Sequence, residues 1–166
     1  MEYRTTYASP IGQLLLSGEA DALTGLWFAG QTYLPPLEPP RYQPGSLPVF
    51  EETKRWLDIY FSGKNPPFTP KLSVKSTPFR ALVCDLLREI PYGETTTYGA
   101  LAGKAAAQIG CKTMSAQAIG GAVGHNPISI LIPCHRVLGA GGQLTGYAGG
   151  LWRKEYLLRL EGILQE

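Results

Sequence analysis

The chain has 166 residues, of which 44% are hydrophobic, and 15 basic against 13 acidic residues give it a formal net charge of +2. This length is sufficient to bury a core in one domain or in two small ones, which excludes a fibrous or disordered chain. The near-neutral charge excludes binding of polyanions through bulk charge, so any contact with nucleic acid must be local.

The three cysteines, Cys84, Cys111 and Cys134, show no CxxC spacing. An odd number of cysteines favours a reducing compartment over a disulfide framework. With only two histidines in the chain, neither a structural zinc site nor another metal or cofactor is expected. The sequence also shows no signal-peptide pattern and no run of roughly 18 apolar residues, so we expect a cytoplasmic protein.

The N-terminal part carries strand signals in three short segments, each bounded by turn residues. These segments are Tyr3–Tyr7, Leu14–Leu16 and Leu23–Phe28, and their spacing predicts an antiparallel meander. The proline-rich stretch from Pro35 to Pro48 is predicted to be a loop.

One helix is predicted after that loop, because apolar side chains recur at three- and four-residue steps from Phe50 to Phe61 and Gly63 follows them. A second proline-rich stretch, Gly63–Pro70, is predicted to be a linker. We therefore expect an α+β chain with an N-terminal domain at residues 1–74 and a C-terminal, mainly helical domain at residues 75–166.

The C-terminal part opens with Thr77-Pro78, an N-cap followed by proline, which predicts a helix that continues to Ile90. Thr97 is a candidate cap for a short helix over residues 98–103. Ser115 is a candidate cap for another over residues 116–123, after a connection of about ten residues. Two short helices in tandem are typical of a helix-turn-helix.

The second of these helices contains mostly small side chains between Ala116 and Ala122. Small residues allow a close approach, and the approaching group is either another part of the protein or the groove of a nucleic acid. The sequence leaves both interpretations open.

Cys134 and His135 stand side by side after Pro133 and after the apolar run Ile128–Leu131, which we predict to be a strand. A thiol becomes nucleophilic when a base or a cation favours its thiolate. Neighbouring side chains of an extended chain point to opposite sides, so contact between Cys134 and His135 requires a turn or a bridging water. Packing without chemistry is the alternative.

A histidine that acts as a base also needs an orienting carboxylate. The predicted C-terminal helix, Leu151–Leu160, offers Glu155 within it and Glu161 directly after it, and spacing alone does not choose between them. Asn126 before Pro127 is either ordinary turn chemistry or a tie to the reactive segment. Cys84 is predicted to be buried packing, and Cys111 to be exposed.

These residues resemble a known family. Ile132–Val137 resembles the active-site signature of the O6-alkylguanine-DNA alkyltransferases. Further motifs recur in the family's order, and they are Ile90–Glu94 with Tyr98, Ala118–Ala122, Asn126–Pro127, Gly146–Gly150 and Lys154–Gly162. Ser9–Gly12 and Gly25–Phe28 resemble the family's smaller N-terminal domain, which is ribonuclease H-like.

The resemblance implies a single-use DNA repair protein that acts as a monomer. Its partner would be duplex DNA containing O6-alkylguanine, with O4-alkylthymine as a second candidate lesion. In the family the helix-turn-helix enters the minor groove, the damaged base is flipped out, and a cysteine accepts the alkyl group irreversibly.

The same resemblance assigns roles to individual residues. Cys134 would be the alkyl acceptor, His135 would deprotonate it through a water, Glu161 would orient His135, and Tyr98 would donate to the base. The residues expected to contact DNA or line the base pocket are Ser115, Gln117, Ala118, Gly120, Gly121, Asn126, Arg136, Val137, Tyr147, Ala148 and Gly149.

Several departures from the family pattern are visible. Gln117 stands where many members have an arginine, which predicts weaker base extrusion. Ala105–Gly110 is predicted to be an extra loop, and Ala148 replaces a frequent serine. The family's N-terminal zinc residues and regulatory domain are not matched, which predicts the free-standing form.

Three other functions are compatible with parts of the sequence. A family member that binds the lesion without catalysis would lack the acceptor, and Cys134 argues against it. A Cys-His hydrolase would need an oxyanion hole, which no motif indicates. A helix-turn-helix regulator would need polar recognition residues, which the small-residue helix does not provide.

Overall fold

The computed structural model describes residues 2–37 and 41–164. The chain forms two compact units, one from residues up to 75 together with residues 127–129, and one from residues 76–126 together with residues from 130 onward. No helix within the described ranges is long and apolar enough to cross a membrane.

The first unit contains a four-stranded sheet in the order β3-β2-β1-β4. Its strands are Glu2–Ser9 (β1), Gly12–Glu19 (β2), Ala22–Phe28 (β3) and Tyr42–Pro44 (β4). The first three pair antiparallel in sequence order, which confirms the predicted meander. All seven residues of β3 are buried although β3 is an outer strand of the sheet, because residues 71–73 and 127–129 of the same unit hydrogen-bond along its other side.

The proline-rich stretch after the meander was predicted to be a loop, and that prediction was wrong for Tyr42–Pro44. This segment pairs in parallel with β1, where Glu2 faces Tyr42 and Arg4 faces Pro44. Pro44 lacks a backbone donor, but the segment is an edge strand and needs to pair on one side only. Residues 38–40 of the same stretch lie outside the described residues.

Helix α1, Pro48–Phe61, packs on the sheet with the face that periodicity predicted. Its buried residues include Phe50 and Trp56, and the ring of Trp56 stacks on that of Tyr60 with centroids 5.2 Å apart. Glycine is required at position 25 of β3, because a Cβ there would lie 1.9 Å from the Trp27 ring. Since the buried face of α1 packs on the sheet, the helix and the sheet share one core.

The second unit is mainly helical. Its helices are Pro78–Arg88 (α2), Tyr98–Ile109 (α3), Ala116–Gly124 (α4) and Leu151–Leu160 (α5). The first three pack on one another, and the small residues Ala102, Ala105 and Ala122 are buried among them. Two short strands, Thr96–Thr97 (β5) and Val137–Leu138 (β6), pair in parallel.

The predicted helix caps are confirmed. The hydroxyls of Thr77, Thr97 and Ser115 accept from the backbone N–H three residues later, at 3.2, 3.1 and 3.0 Å. Each hydroxyl satisfies one of the amides that the first turn of a helix leaves unpaired.

Helix α3 is longer than predicted. It continues past Gly103 to Ile109, so the predicted extra loop at residues 105–110 is helical except at its last residue, Gly110. The alanines that suggested an insertion are good helix formers, and Gly110 ends the helix with φ of +77°. The connection to α4 is therefore residues 110–115, which is shorter than expected.

Candidate active site

The segment before Cys134 is a series of turns and not the strand that the apolar run predicted. Residues 129–131 form turns, and Ile130 has φ of +71°, a rare conformation for a branched side chain. Pro133, with φ of −82° and ψ of 64°, is the centre of an inverse γ-turn, in which Cys134 N donates to Ile132 O at 2.8 Å. A proline fixes φ near this value, so the tight turn costs little backbone entropy.

Cys134 begins a short 3-10 helix, Cys134–Arg136, and is only 5% exposed. Burial raises the pKa of its thiol, whereas the side chains of Asn126 and Tyr147 and the charge of Lys154 act in the opposite direction. The sulfur is thus surrounded by groups that favour the thiolate, inside an environment that shields it from water.

Asn126 ties the end of α4 to the turn before the cysteine. Its Nδ2 donates to Ile132 O at 2.8 Å, and its side chain also hydrogen-bonds the Cys134 sulfur. One amide group thereby fixes both the backbone before the sulfur and the surroundings of the sulfur itself. Ordinary turn chemistry would not require either contact.

His135 lies in the interior beside Glu161, the residue that follows α5. Its Nε2 is 2.6 Å from Glu161 Oε2, and neither side chain has any exposure to solvent. Burial lowers the pKa of His135, so the neutral ring donates Nε2–H to an ionised carboxylate. Glu155, the other carboxylate that spacing had left open, pairs instead with Arg159 at 2.6 Å on the surface.

The negative charge of Glu161 is compensated from its other oxygen. Oε1 accepts from Arg136 Nε at 2.8 Å and from Gly93 N at 3.0 Å. Burial opposes ionisation of this carboxyl, but the hydrogen bonds and charges of His135 and Arg136 outweigh it and lower the pKa of Glu161 to about 2. The carboxylate is therefore ionised throughout the neutral range.

Arg136 was predicted to contact DNA or the base, but its guanidinium is engaged within the protein. Its Nη1 donates to Ile90 O at 2.7 Å, its Nε donates to Glu161, and its guanidinium lies 5.7 Å from the centroid of the Tyr92 ring. The side chain is 9% exposed. This position explains why the Ile90–Gly93 segment belongs to the site, but it does not support the predicted base contact.

Lys154 is a site residue that the sequence reasoning did not select. It is fully buried, and its Nζ donates to the carbonyl groups of Val137, Thr145 and Gly146 at 2.6, 2.8 and 3.2 Å. Burial lowers the pKa of Lys154 to about 8, although the charge of Cys134 acts to raise it. One signal was present in the sequence, because Lys154 shares a helix face with Leu157, Leu158 and Glu161.

Tyr98 stands at the start of α3, close to this lysine. Its hydroxyl lies 3.5 Å from Thr145 O, and Lys154 Nζ lies 5.7 Å from the centre of its ring. Burial raises the pKa of Tyr98, and the charge of Cys134 adds to the effect, so the phenol stays protonated and is near the thiol.

Tyr147, Ala148 and Gly149 lie in the segment between β6 and α5 and are half-buried or buried. The Tyr147 side chain acts to lower the pKa of the Cys134 thiol. Val137, the first residue of β6, is fully buried, and its carbonyl group accepts a hydrogen bond from Lys154. Of the predicted pocket residues, Asn126 and Tyr147 therefore act on the thiol, and Val137 contacts Lys154.

Helix α4 presents Gln117, Ala118 and Gly121 to solvent, with Ser115 at its cap and Gly120 half-exposed. A Cβ built on Gly120 or Gly121 would meet no other atom within 4 Å. Packing within the described residues therefore does not require glycine at either position. That observation favours the second of the two interpretations left open by the sequence, in which the helix is approached from outside.

No group of three or more His, Cys, Asp or Glu side chains that could hold an ion occurs in the part of the chain that the structure describes. The polar side chains around Cys134 are instead paired with one another and with backbone carbonyls.

Two family models match the chain, and together they cover almost all of it. The ribonuclease-like domain of the 6-O-methylguanine DNA methyltransferases matches residues 2–74, and their DNA binding domain matches residues 78–163. The chain belongs to the 6-O-methylguanine DNA methyltransferase family. The resemblance and the α+β fold class predicted from the sequence are thereby confirmed.

Curated members of the 6-O-methylguanine DNA methyltransferase family are similar over nearly the whole chain. A methylated-DNA–protein-cysteine methyltransferase from Mycobacterium bovis is 45% identical, over 97% of this chain and 92% of its own. One from Haemophilus influenzae is 41% identical, over 97% of this chain and 87% of its own.

Solved structures of family members agree with the fold. The Mycobacterium tuberculosis OGT in complex with DNA is 42% identical with a TM-score of 0.82, over 96% of this chain and 92% of that one. A Methanococcus jannaschii O6-methylguanine DNA methyltransferase is 21% identical with a TM-score of 0.61, over 98% and 95% of the two chains, and this likeness concerns the fold alone.

Proposed function

We propose that this protein repairs DNA by transferring an alkyl group from O6 of guanine to Cys134. The observation that carries the proposal is the environment of the sulfur. A buried thiol is surrounded by Asn126, Tyr147 and Lys154, three groups that favour its thiolate, in a chain that belongs to a DNA methyltransferase family.

The reaction is an in-line displacement at the alkyl carbon. The thiolate of Cys134 forms a sulfur–carbon bond while the bond from that carbon to O6 breaks. The electron pair of the broken bond leaves with the guanine, which takes up one proton to become the normal base. The thioether that remains is stable, so each molecule acts once.

The proton of the Cys134 thiol passes to His135, in our proposal through a bridging water. A neutral imidazole can accept a proton, and the lowered pKa of His135 keeps it neutral at physiological pH. The ionised Glu161, 2.6 Å away, holds the ring and stabilises the imidazolium that forms. Arg136 balances the charge of the Glu161 carboxylate and so holds Glu161 and His135 in place.

Lys154 would favour the thiolate by its charge and would hold the pocket together by its three carbonyl contacts. The acceptors belong to β6, at Val137, and to the segment containing Thr145 and Gly146. One ammonium group thus joins the chain after the cysteine to the chain that precedes Tyr147.

Tyr98 is the proposed donor to the departing base. Its phenol is protonated because burial raises its pKa, and it lies close enough to Cys134 to respond to the thiolate charge. A donor at this position would neutralise the negative charge that develops on guanine as the alkyl carbon leaves.

Duplex DNA would bind along α3 and α4, with α4 in the minor groove. The exposed Ala118 and Gly121 and the space around Gly120 allow the backbone of α4 to approach the DNA closely. Gln117 is exposed and would fill the space left by the extruded guanine. A glutamine brings no positive charge, so extrusion would be weaker than with an arginine.

The reaction requires a reduced acceptor, which fits the cytoplasm. Cys84, Cys111 and Cys134 are free thiols. We further propose that the C-terminal domain, residues 75–166, carries both the DNA-binding helices and the reactive thiol, and that the protein acts as a monomer.

The deciding experiment measures the intact mass of the protein after incubation with duplex DNA that contains O6-methylguanine. We expect the mass of one methyl group to be gained by the unaltered protein and by Cys84→Ala, and no gain in Cys134→Ala. Peptide mapping should locate the group on Cys134.

Three results would contradict the proposal. Binding of the damaged duplex without any mass gain would indicate a lesion-binding protein without catalysis. Methyl transfer that persists in Cys134→Ala would place the acceptor elsewhere. Turnover of thioester substrates by Cys134, with no transfer from DNA, would favour the hydrolase.

A further inference from the structure

Two large apolar side chains are exposed side by side at the start of α5. Leu151 is 47% exposed and Trp152 is 57% exposed. They follow directly on the segment that contains Tyr147, whose side chain acts to lower the pKa of the Cys134 thiol, and Gly146, whose carbonyl accepts from Lys154. None of the roles proposed above uses these two side chains.

The Trp152 ring is held in place by its neighbours. The Arg153 guanidinium carbon lies 4.6 Å from the ring centroid of Trp152, and Arg153 Nη1 donates to Gly149 O at 3.0 Å. The indole also packs against Gly150, where a Cβ would lie only 3.3 Å from Cδ1 of the ring. Because the ring is already oriented, little side-chain entropy is lost when it binds another group.

The chemistry of this pair suits a nucleotide. An exposed indole is a flat surface on which a base or a sugar can stack, and a guanidinium beside it attracts a phosphate. The Arg153 guanidinium already lies over the Trp152 ring, so a nucleotide that stacks on the indole would complete a stack of three groups. The acidic residue that follows in the helix, Glu155, is paired with Arg159 and leaves the positive charge of Arg153 in place.

We propose that Trp152 and Arg153 form a nucleotide-contact surface that binds the damaged DNA strand beside the extruded guanine. The base or sugar of the adjoining nucleotide would stack on Trp152, and its phosphate would approach Arg153. This inference rests on the proposed function, because it takes the extruded base to occupy the pocket beside Cys134.

The test compares a substrate that is part of a DNA strand with one that is a free base. One is a duplex oligonucleotide with O6-methylguanine, and the other is the free base O6-benzylguanine. We expect Trp152→Ala to lower the second-order rate constant for the duplex by about tenfold, the magnitude of one lost stacking contact, and its rate with the free base to stay within about twofold. Trp152→Phe keeps an aromatic ring and should lose less than about threefold on the duplex.

A matched control is available in the other unit. Tyr33 is an aromatic side chain with 58% exposure, and Tyr33→Ala should leave both rate constants unchanged. A second variant, Arg153→Met, should weaken the salt dependence of duplex binding as well as the rate, because one phosphate contact is lost.

Equal losses on both substrates would overturn the inference, since they would mean that Trp152 only supports the loop before α5. No loss on either substrate would also overturn it, as would a change in oligomeric state with unchanged DNA repair, which would indicate a protein partner. The affinity for the damaged duplex, measured by fluorescence anisotropy, tests the surface even without alkyl transfer. Failure of the proposed function would appear separately, as unaltered protein that gains no alkyl group.

Discussion

Glu161 holds His135 in the protein interior, with Oε2 of the carboxylate 2.6 Å from Nε2 of the ring and both side chains without exposure to solvent. The second oxygen of Glu161 is held by Arg136 and by Gly93 N. A buried carboxylate with this many donors is stable only as an anion, and it therefore fixes both the position and the tautomer of the imidazole.

Replacement of Glu161 by glutamine should lower both stability and repair. The substitution leaves the Arg136 charge buried without its partner, so we expect the free energy of unfolding to fall by about 3 kcal/mol. The rate of alkyl transfer should fall because the imidazolium loses its stabilising charge. Urea unfolding and a single-turnover assay measure the two effects.

Glu155→Gln is the matched control for that substitution. Glu155 forms an exposed pair with Arg159 on the same helix, and its loss should change the free energy of unfolding by less than about 0.5 kcal/mol. Equal destabilisation by the two substitutions would mean that the buried network contributes no more than a surface pair.

The lowered pKa of Glu161 predicts that the folded protein loses stability in acid. Its pKa is about 2 in the folded protein against an ordinary value of 4.5, so the unfolded state binds the proton first as the pH falls. The stabilisation is present above pH 4.5 and is lost between pH 4.5 and about 2, amounting to about 3 kcal/mol. Urea midpoints from about pH 5 to about pH 3 should fall steeply, and less steeply in Glu161→Gln. Parallel pH profiles of the two proteins would contradict the assignment.

Lys154→Met should destabilise the second unit and slow alkyl transfer. The methionine side chain has a similar length but donates no hydrogen bond, so the carbonyl groups of Val137, Thr145 and Gly146 lose their shared donor. We expect the free energy of unfolding to fall by about 2–4 kcal/mol and the pKa of Cys134 to rise.

Lys104→Met provides the comparison, because Lys104 is exposed on α3. It should leave the unfolding midpoint and the pH dependence of thiol alkylation nearly unchanged. If both lysine variants behave alike, the three carbonyl contacts of Lys154 have no measurable role.

The three thiols should differ in reactivity in the folded protein. Cys111 is exposed and should react first with a disulfide reagent such as DTNB. Burial, reinforced by the charge of Cys134, raises the pKa of Cys84 to about 12, so Cys84 should react only when the protein unfolds. Cys111→Ser should remove the fast phase, and a fast phase that remains in this variant would show that a buried thiol is accessible.

The sequence by itself determined the local structure and the family. Helix caps at Thr77, Thr97 and Ser115 and the turn residues that bound the first three strands depend on neighbours a few residues apart, which is why the pattern was sufficient there. The Cys134 motif and the other family motifs were likewise visible, because each is a short segment and they follow one another in the family's order.

Where the pattern was misleading, the deciding contacts were distant in the chain. Tyr42–Pro44 is a strand only because β1 offers it an edge, and the apolar run before Cys134 forms turns although its composition favours a strand. Helix α3 extends through alanines that are good helix formers, although the resemblance to the family predicted an extra loop there.

The tertiary structure decided which charged groups surround the thiol. Glu161 and Glu155 are equivalent by spacing, but one follows the end of α5 against His135 and the other faces solvent. Lys154 looks like an ordinary surface lysine of a helix, and only the fold brings three carbonyl groups to it. A buried charge is stable because of partners that the chain supplies from far away, and local sequence does not contain them.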